Sequence, residues 1–207
     1  MSDKHDISRR GLFRGDWFKK IRERGQEQEE SEFQLKRPKG QMKWGSEFVH
    51  RPPHAVVESE FLAGCTRCAD CIEVCPPHAI FNATDEFGLI AGTPIINAEE
   101  QPCIMCDDLP CVHACEPGVL RFEASLQMGL AEINEEQCFA FQGKQCSECV
   151  THCPVDGAIS LLHEKPLVNA DSCTGCGMCV YVCPSEPQTI SLAPSLGSDP
   201  VSDPVIG

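Results

Sequence analysis

Sixteen cysteines, arranged in four sets of four, are the residues of this 207-residue chain best suited to carry chemistry. Two of the sets, Cys65–Pro76 and Cys173–Pro184, have the spacing Cys-x2-Cys-x2-Cys-x3-Cys followed by proline. That spacing is typical of [4Fe-4S] binding, in which three close cysteines hold one cluster and the fourth holds another. Disulfide frameworks do not repeat one spacing, and zinc sites use pairs of cysteines. The pattern therefore favours iron-sulfur clusters.

The other two sets each contain one lengthened gap. Four residues separate Cys106 from Cys111, and seven separate Cys138 from Cys146. Each set nevertheless keeps four cysteines, and the chain has no cysteine left over. We therefore predict that all sixteen are ligands of four [4Fe-4S] clusters, namely Cys65, Cys68, Cys71, Cys75, Cys103, Cys106, Cys111, Cys115, Cys138, Cys146, Cys149, Cys153, Cys173, Cys176, Cys179 and Cys183.

The sets must exchange their fourth cysteines in pairs, and the spacing between sets favours pairing of neighbours. The shortest interval runs from Cys153 to Cys173 and joins the third and fourth sets. A nested pairing, first set with fourth and second with third, remains open because the rule requires only that partners exchange a cysteine. The tandem pairing predicts four groups: Cys65/Cys68/Cys71/Cys115, Cys103/Cys106/Cys111/Cys75, Cys138/Cys146/Cys149/Cys183 and Cys173/Cys176/Cys179/Cys153.

The elements that position these cysteines repeat about every 35 residues along the chain. We predict that each repeat consists of a loop with three cysteines, a short helix that begins near the fourth cysteine, and a strand such as 158–162 or 166–168. Two repeats make a small α+β module. We predict an α+β fold of two tandem bacterial-type 2[4Fe-4S] ferredoxin modules, at 51–130 and 131–192.

Two glycines lie within the fourth set, at Gly175 and Gly177. Glycine tolerates positive φ angles and lets backbone pass close to other atoms. We therefore predict that this loop curls tightly and brings its amide groups close to cluster sulfur.

The ends of the chain differ from the cysteine-rich part. Residues 1–50 form a charged leader, in which Phe13, Trp17 and Ile21 would lie on one face of a helix over 12–24. Residues 193–207 have the composition of a disordered tail.

Charge and motifs exclude several classes of function. Residues 1–55 carry a net charge of +4 and the remainder −18, so the cysteine-rich part would repel nucleic acid. No apolar stretch is long enough to span a membrane. No nucleophile elbow, phosphate loop or catalytic carboxylate pair is present, so we predict an electron carrier, not an enzyme. Histidines near the sets are expected to be surface or packing residues, at His78, His113, His152 and His163.

Further motifs resemble a known family, the NapG/MauM-type polyferredoxins, which are ferredoxin-type accessory proteins of periplasmic nitrate reductase and of methylamine utilisation. The resemblance covers about 51–192 and rests on Arg51-Pro52-Pro53, Gly92-Thr93-Pro94, the run Cys103–Cys111, Met128-Gly129-Leu130-Ala131, Phe141-Gln142-Gly143 and Cys173-Thr174-Gly175-Cys176-Gly177. It implies a polyferredoxin that takes electrons from a quinol-oxidising, membrane-bound iron-sulfur protein and passes them to a reductase, with all sixteen cysteines as ligands.

The leader departs from that family. Ser8-Arg9-Arg10 resembles the start of a twin-arginine export signal, but the following residues 15–22 are charged and form no apolar h-region. The segment is more similar to the leader of cytoplasmic NapF. We therefore expect a cytoplasmic protein, associated with the membrane through a partner, and the alternative is a periplasmic protein exported by the twin-arginine route.

The function predicted from the sequence is one-electron relay through four clusters. A rival hypothesis is an assembly or maturation factor that binds a reductase and uses its clusters structurally or for cluster delivery. A third is an electron-transfer subunit of another oxidoreductase, because a fold does not determine its partner.

Overall fold

A computed structural model describes residues 49–194 of the chain. The leader helix predicted over 12–24 and the tail predicted at 193–207 lie outside the described residues, apart from the tail's first two positions. The helices are α1 Glu58–Gly64, α2 Asp70–Glu73, α3 Pro110–His113, α4 Glu148–Thr151 and α5 Met178–Tyr181, with a 3₁₀ helix at Asp85–Ile90. The strands are β1 Ile80–Asn82, β2 Pro94–Ile96, β3 Leu130–Ile133, β4 Ile159–Leu162, β5 Lys165–Val168 and β6 Ile190–Ala193.

The strands of the second half form two antiparallel pairs, one nested inside the other. β3 pairs with β6, so that Leu130 lies opposite Ala193. Between them in sequence, β4 and β5 form a hairpin whose turn residues, His163 and Glu164, both have positive φ. The helix α4 lies between β3 and the hairpin, and α5 lies between the hairpin and β6. The strands predicted at 158–162 and 166–168 are therefore confirmed to within one residue.

The first half repeats this nested order with weaker outer pairing. β1 and β2 form the inner antiparallel pair, with the 3₁₀ helix inserted between them. The outer pair is reduced to a single antiparallel bridge between Ala55 and Leu120. Because each strand is only three or four residues long, these sheets cannot hold the fold by backbone pairing alone.

The prediction that each short helix begins near the fourth cysteine of a set is wrong. In every set the four-residue helix contains the third cysteine and ends before the fourth, as Cys71 in α2 and Cys179 in α5 illustrate. The left-handed residue that precedes three of these helices, Ala69, Leu109 or Gly177, reverses the chain direction, so the helix starts earlier than the cysteine spacing suggests.

Cysteine side chains form part of both main groups of buried residues. One group joins Phe61, Ile80 and Leu120 with Cys71, Cys75, Cys103 and Cys111. The other joins Ile159, Val180 and Ile190 with Cys149, Cys173 and Cys179. The sulfur atoms thus occupy positions that aliphatic side chains fill in an ordinary core. Within the described residues, no helix is long and apolar enough to cross a membrane.

Candidate iron-sulfur sites

Left-handed backbone curls the cysteine loops of the first, second and fourth sets. In the first set Arg67 and Ala69 have φ angles of 60° and 71°, and Gly175 and Gly177 hold the corresponding positions of the fourth set at 71° and 85°. In the second set Met105 takes the position equivalent to Arg67 with a φ of 54°. Reversals at these points turn successive cysteines toward the same space. Glycine adopts this conformation without strain, whereas Arg67, Ala69 and Met105 carry a steric cost.

The folded chain gathers the cysteines into four groups. Three cavities are each lined by four cysteines, three from one set and the fourth from its neighbour. We call the group Cys65, Cys68, Cys71 and Cys115 site 1, and the group Cys75, Cys103, Cys106 and Cys111 site 2. The group Cys153, Cys173, Cys176 and Cys179 is site 4.

Site 3 consists of the remaining cysteines, Cys138, Cys146, Cys149 and Cys183. Burial raises the pKa of Cys149 to about 11, and negative charge on Cys138, Cys146 and Cys183 contributes to the shift, so these thiols lie within electrostatic range of one another. The three cavities combine cysteines in the way that the tandem pairing predicts, and site 3 is the group which that pairing leaves. The pairing and the binding of iron by these thiols stay predictions.

The residues that line the cavities indicate what they could hold. Each cavity is small, with a volume of about 10 to 20 Å³. Among residues 49–194, no three Cys, His, Asp or Glu side chains converge closely enough to hold a single metal ion. Four thiols around an apolar space, supplied three from one loop and one from another, are the donor set that a [4Fe-4S] cubane requires.

Burial and mutual repulsion make isolated thiolates unfavourable in these sites. Burial raises the pKa of Cys71 to about 12, and negative charge on Cys115 adds to the rise. The pKa of Cys111 rises to about 11, first through burial and then through Cys75. Burial also raises the pKa of Cys179, with Cys176 and Cys173 adding to it. A bound group with positive iron would compensate for this cost, because metal ligation requires the thiolate form.

Backbone amides point at the fourth cysteines of the first half. The Ala79 N–H lies 3.3 Å from the Cys75 Sγ, and the Leu120 N–H lies 3.4 Å from the Cys115 Sγ. Such hydrogen bonds stabilise negative charge on sulfur and are one means of tuning a cluster potential.

Cys183 differs from the other buried thiols. Although burial is the largest single influence and raises its pKa, hydrogen bonds from Thr189 and Ser185 together lower it. The Thr189 hydroxyl lies 3.2 Å from its Sγ. At Cys183 of site 3, the hydrogen bonds together therefore outweigh the effect of burial on the pKa of the thiol.

Gly175 and Gly177 lie close to other atoms, as predicted, but those atoms belong to other segments of the chain and not to sulfur. Both glycines have the expected positive φ. A Cβ atom on Gly175 would lie 2.4 Å from the Gly129 backbone, and one on Gly177 would lie 2.3 Å from the Ala98 Cβ. The glycines thus allow the fourth set to pack against two segments of the first half, one at Ala98 and one at Gly129.

Comparison with known proteins identifies the family. A family model described as "4Fe-4S dicluster domain" matches residues 130–184, which contain the third and fourth sets. The ferredoxin-type protein NapG of Escherichia coli (strain K12) is 40% identical over 161 residues, which cover 70% of each chain. The chain belongs to the NapG/MauM family of ferredoxin-type proteins.

Two more relatives agree with this assignment. The methylamine utilization ferredoxin-type protein MauM of Methylobacillus flagellatus is 38% identical over 160 residues, covering 70% of this chain and 68% of MauM. The ferredoxin-type protein NapF of E. coli is 29% identical over 139 residues, covering 65% of this chain and 79% of NapF. No solved structure matches the chain.

An ion pair explains two of the motifs that resemble the NapG/MauM family. Arg51 is buried and pairs with Glu58 at the start of α1, with 2.8 Å between Nε and Oε2. Its Nη1 donates to the Thr93 hydroxyl at 2.7 Å and the Pro94 carbonyl at 2.8 Å. Its guanidinium also lies 4.3 Å from the centre of the Phe61 ring. Arg51 therefore fastens α1, which leads into the first set, to β2.

Sequence reasoning did not find the role of Arg51, nor that of His50 beside it. His50 is buried, and its Nε2 lies 2.9 Å from the Gly175 carbonyl oxygen. The only sequence signal was the position of Arg51-Pro52-Pro53 ahead of the first set. The four histidines expected to be surface or packing residues include His113, whose ring lies 5.0 Å from that of Phe122, and His152, whose Nδ1 lies 3.0 Å from the Glu148 carbonyl oxygen.

Proposed function

We propose that this protein is a polyferredoxin whose sixteen cysteines hold four [4Fe-4S] clusters, and that it relays single electrons between redox proteins. The observation that carries the proposal is the grouping of thiols: each site combines three cysteines from one loop with one from a neighbouring set. Membership of the NapG/MauM family and the dicluster match support an iron-sulfur role in electron transfer.

The finer organisation that we propose is two tandem ferredoxin modules, one holding sites 1 and 2 and the other sites 3 and 4. The repeated nested order of strands supports this division. When bound, each cluster supplies a reversible one-electron couple. The chain fixes the irons through thiolates, excludes water by burial and donates amide hydrogen bonds to sulfur. No residue is assigned a role as acid, base or nucleophile.

Iron analysis tests the proposal directly. Protein purified without oxygen should contain about sixteen iron and sixteen acid-labile sulfide per chain, since each of the four sites would hold four of each. Fewer than about twelve irons after careful reconstitution, or zinc in place of iron, would contradict it.

A single variant tests the exchange of cysteines between sets. Cys153 is the fourth cysteine of the third set but lines site 4. Cys153→Ala should therefore change the EPR signal of site 4 and leave site 3 intact, whereas a ligand acting within its own set would give the opposite result. Cys183→Ala, the matched variant, should change site 3 and spare site 4.

We further propose that the electron donor is a quinol-oxidising, membrane-bound iron-sulfur protein and the acceptor a reductase, as the family resemblance implies. The acidic cysteine-rich part favours basic surfaces on both partners. Quinol-containing membranes should reduce the protein reversibly, and the reductase should reoxidise it over many turnovers. Stoichiometric binding to an apo-reductase without turnover would instead indicate an assembly factor.

The location we propose is the cytoplasmic side, with the leader acting as a docking segment. The charged run at 15–22, in place of an apolar h-region, supports this. Replacing Phe13, Trp17 and Ile21 by Ser should release the protein from its partner without loss of iron. Recovery from the periplasm that is abolished by Arg9→Lys and Arg10→Lys would overturn the proposed location.

A further inference from the structure

The two halves of the molecule meet at the fourth cysteine loop. The Cys103 N–H donates to the Cys176 carbonyl at 3.1 Å, and the Met128 N–H donates to the Thr174 carbonyl at 2.8 Å. The Gln127 side chain adds a hydrogen bond to the Cys173 carbonyl at 2.9 Å. A loop that belongs to site 4 is therefore tied by a backbone hydrogen bond to Cys103 of site 2, the first cysteine of the second set.

This contact is closely packed as well as hydrogen bonded. The Gly175 backbone lies so close to Gly129 that a Cβ could not fit between them. On the other side of the loop, buried His50 from the first half lies 2.9 Å from the Gly175 carbonyl oxygen. Since packed interiors resist deformation, the junction fixes the separation of sites 2 and 4.

The cysteine sets that two sites share give the order of neighbours within each half. The first set supplies Cys71 of α2 to site 1 and Cys75 to site 2. In the second half, Cys179 of α5 lines site 4, and Cys183 of the same set is assigned to site 3.

Burial follows the same order. Site 2 and site 4 each have three buried cysteines and one that is half-buried. Site 1 has one buried cysteine, Cys71, and one exposed, Cys68, while site 3 has two buried and two half-buried. The cysteines of the two sites that meet at the junction are thus more buried than those of the sites at either end.

We propose that the four sites form a single line in the order 1–2–4–3, which differs from their order in the sequence, and that electrons cross between the halves at the Cys103–Cys176 junction. The proposal rests on the proposed function. A donor protein loses one electron at one end site and an acceptor protein gains it at the other, with no bond made or broken. Partners accordingly dock at sites 1 and 3.

Four double-site variants of the full chain test this order. Each variant keeps one site from each half and lacks the other two sites. One substitution removes each unwanted site: Cys68→Ser for site 1, Cys106→Ser for site 2, Cys146→Ser for site 3 and Cys153→Ser for site 4. The proteins are reduced with dithionite under anaerobic conditions, and magnetic coupling between the two remaining clusters is measured by EPR. This coupling depends on separation and is independent of turnover with any partner.

We expect resolved coupling in the variant that keeps sites 2 and 4, and its loss in those that keep 1 and 3, 1 and 4, or 2 and 3. Stronger coupling in any of the latter three would overturn the order. Where a substitution prevents folding, the same site is removed through another of its cysteines, for example Cys65→Ser for site 1.

Iron content separates the two proposals. If the wild type lacks about sixteen irons, the four-cluster function fails. If it holds them and the coupling pattern differs, only the order fails.

A glycine variant tests the junction itself in the protein that keeps sites 2 and 4. Gly175→Ala forces the loop away from Gly129, so coupling should fall while both sites retain iron. Gly143→Ala is the matched control, because Gly143 also has positive φ within a cysteine set but has open space around it. Equal coupling in the two variants would show that the junction does not set the separation.

Discussion

His50 illustrates how a single buried residue links the fold to pH. It is buried between the first half and the fourth cysteine loop, and its ring Nε2 donates a hydrogen bond to the Gly175 carbonyl oxygen, which can only accept. Burial lowers the pKa of His50 from 6.5 to about 4, while the hydrogen bond to Gly175 opposes the shift. The neutral ring is therefore the form that the native structure selects.

The first prediction is loss of stability in mild acid. Because the pKa of His50 is lower in the folded state, its contribution is fully present above pH 6.5 and is lost as pH falls from 6.5 toward 4. A difference of this size corresponds to about 3 kcal/mol. Thermal unfolding of the cluster-loaded protein at pH 7 and pH 5 should show a larger fall in Tm for the wild type than for His50→Gln. Equal falls would assign the acid sensitivity to other groups.

The second prediction concerns the buried ion pair of Arg51 and Glu58. Removing one partner leaves a buried charge without compensation, so Arg51→Ala should reduce the free energy of unfolding by about 3 to 5 kcal/mol. Arg121→Ala is the matched control, because its pair with Glu60 is about half exposed. Exposed pairs contribute about 1 kcal/mol or less. Similar losses in the two variants, measured by denaturant unfolding, would show that Arg51 does not fasten α1 to β2.

Among the elements, the cysteine loops show what could be predicted from the sequence. The strands at 158–162 and 166–168 were predictable because apolar residues there are flanked by turn residues. The four-residue helices were placed too late, since a single helical turn leaves no periodic pattern to read. The grouping of thiols follows a spacing rule, whereas the contacts of His50 and Arg51 join residues that are distant in sequence and leave no local signal.

The third prediction compares two glycines with positive φ. Gly177→Ala would place a Cβ 2.3 Å from that of Ala98, whereas Gly157→Ala meets nothing within 4 Å. A left-handed alanine costs about 1 to 2 kcal/mol, and overpacking adds about 1 to 3 kcal/mol. Gly177→Ala should therefore lower stability by clearly more than Gly157→Ala in paired denaturant titrations. Equal effects would mean that the backbone angle alone requires glycine at 177.

On the scale of the whole molecule, cysteines replace much of the hydrocarbon core. Both main groups of buried residues include thiols whose pKa is raised by burial. The strands are too short to compensate for a weak core. Binding of a group to the native state alone adds its binding free energy to folding.

The fourth prediction is that folding depends on iron. Protein prepared under chelation should show no cooperative melting transition and should exchange most backbone amides rapidly with solvent. Reconstitution with iron and sulfide under reducing conditions should restore both slow exchange and a sharp transition. An apo-protein that melts sharply, by circular dichroism or calorimetry, would contradict this dependence and indicate a sufficient apolar core.

The uneven exposure of the cysteines determines which site would be oxidised first in air. Cys68 is exposed, whereas three cysteines in each of sites 2 and 4 are buried. Dioxygen and peroxide attack accessible sulfur first. Brief oxidation would therefore destroy the cluster at site 1 first, while the clusters at the interior sites stay bound. The protein would still look brown and keep most of its iron. It would no longer exchange electrons with the partner that docks at site 1. Colour and metal content would then overestimate the fraction of working molecules.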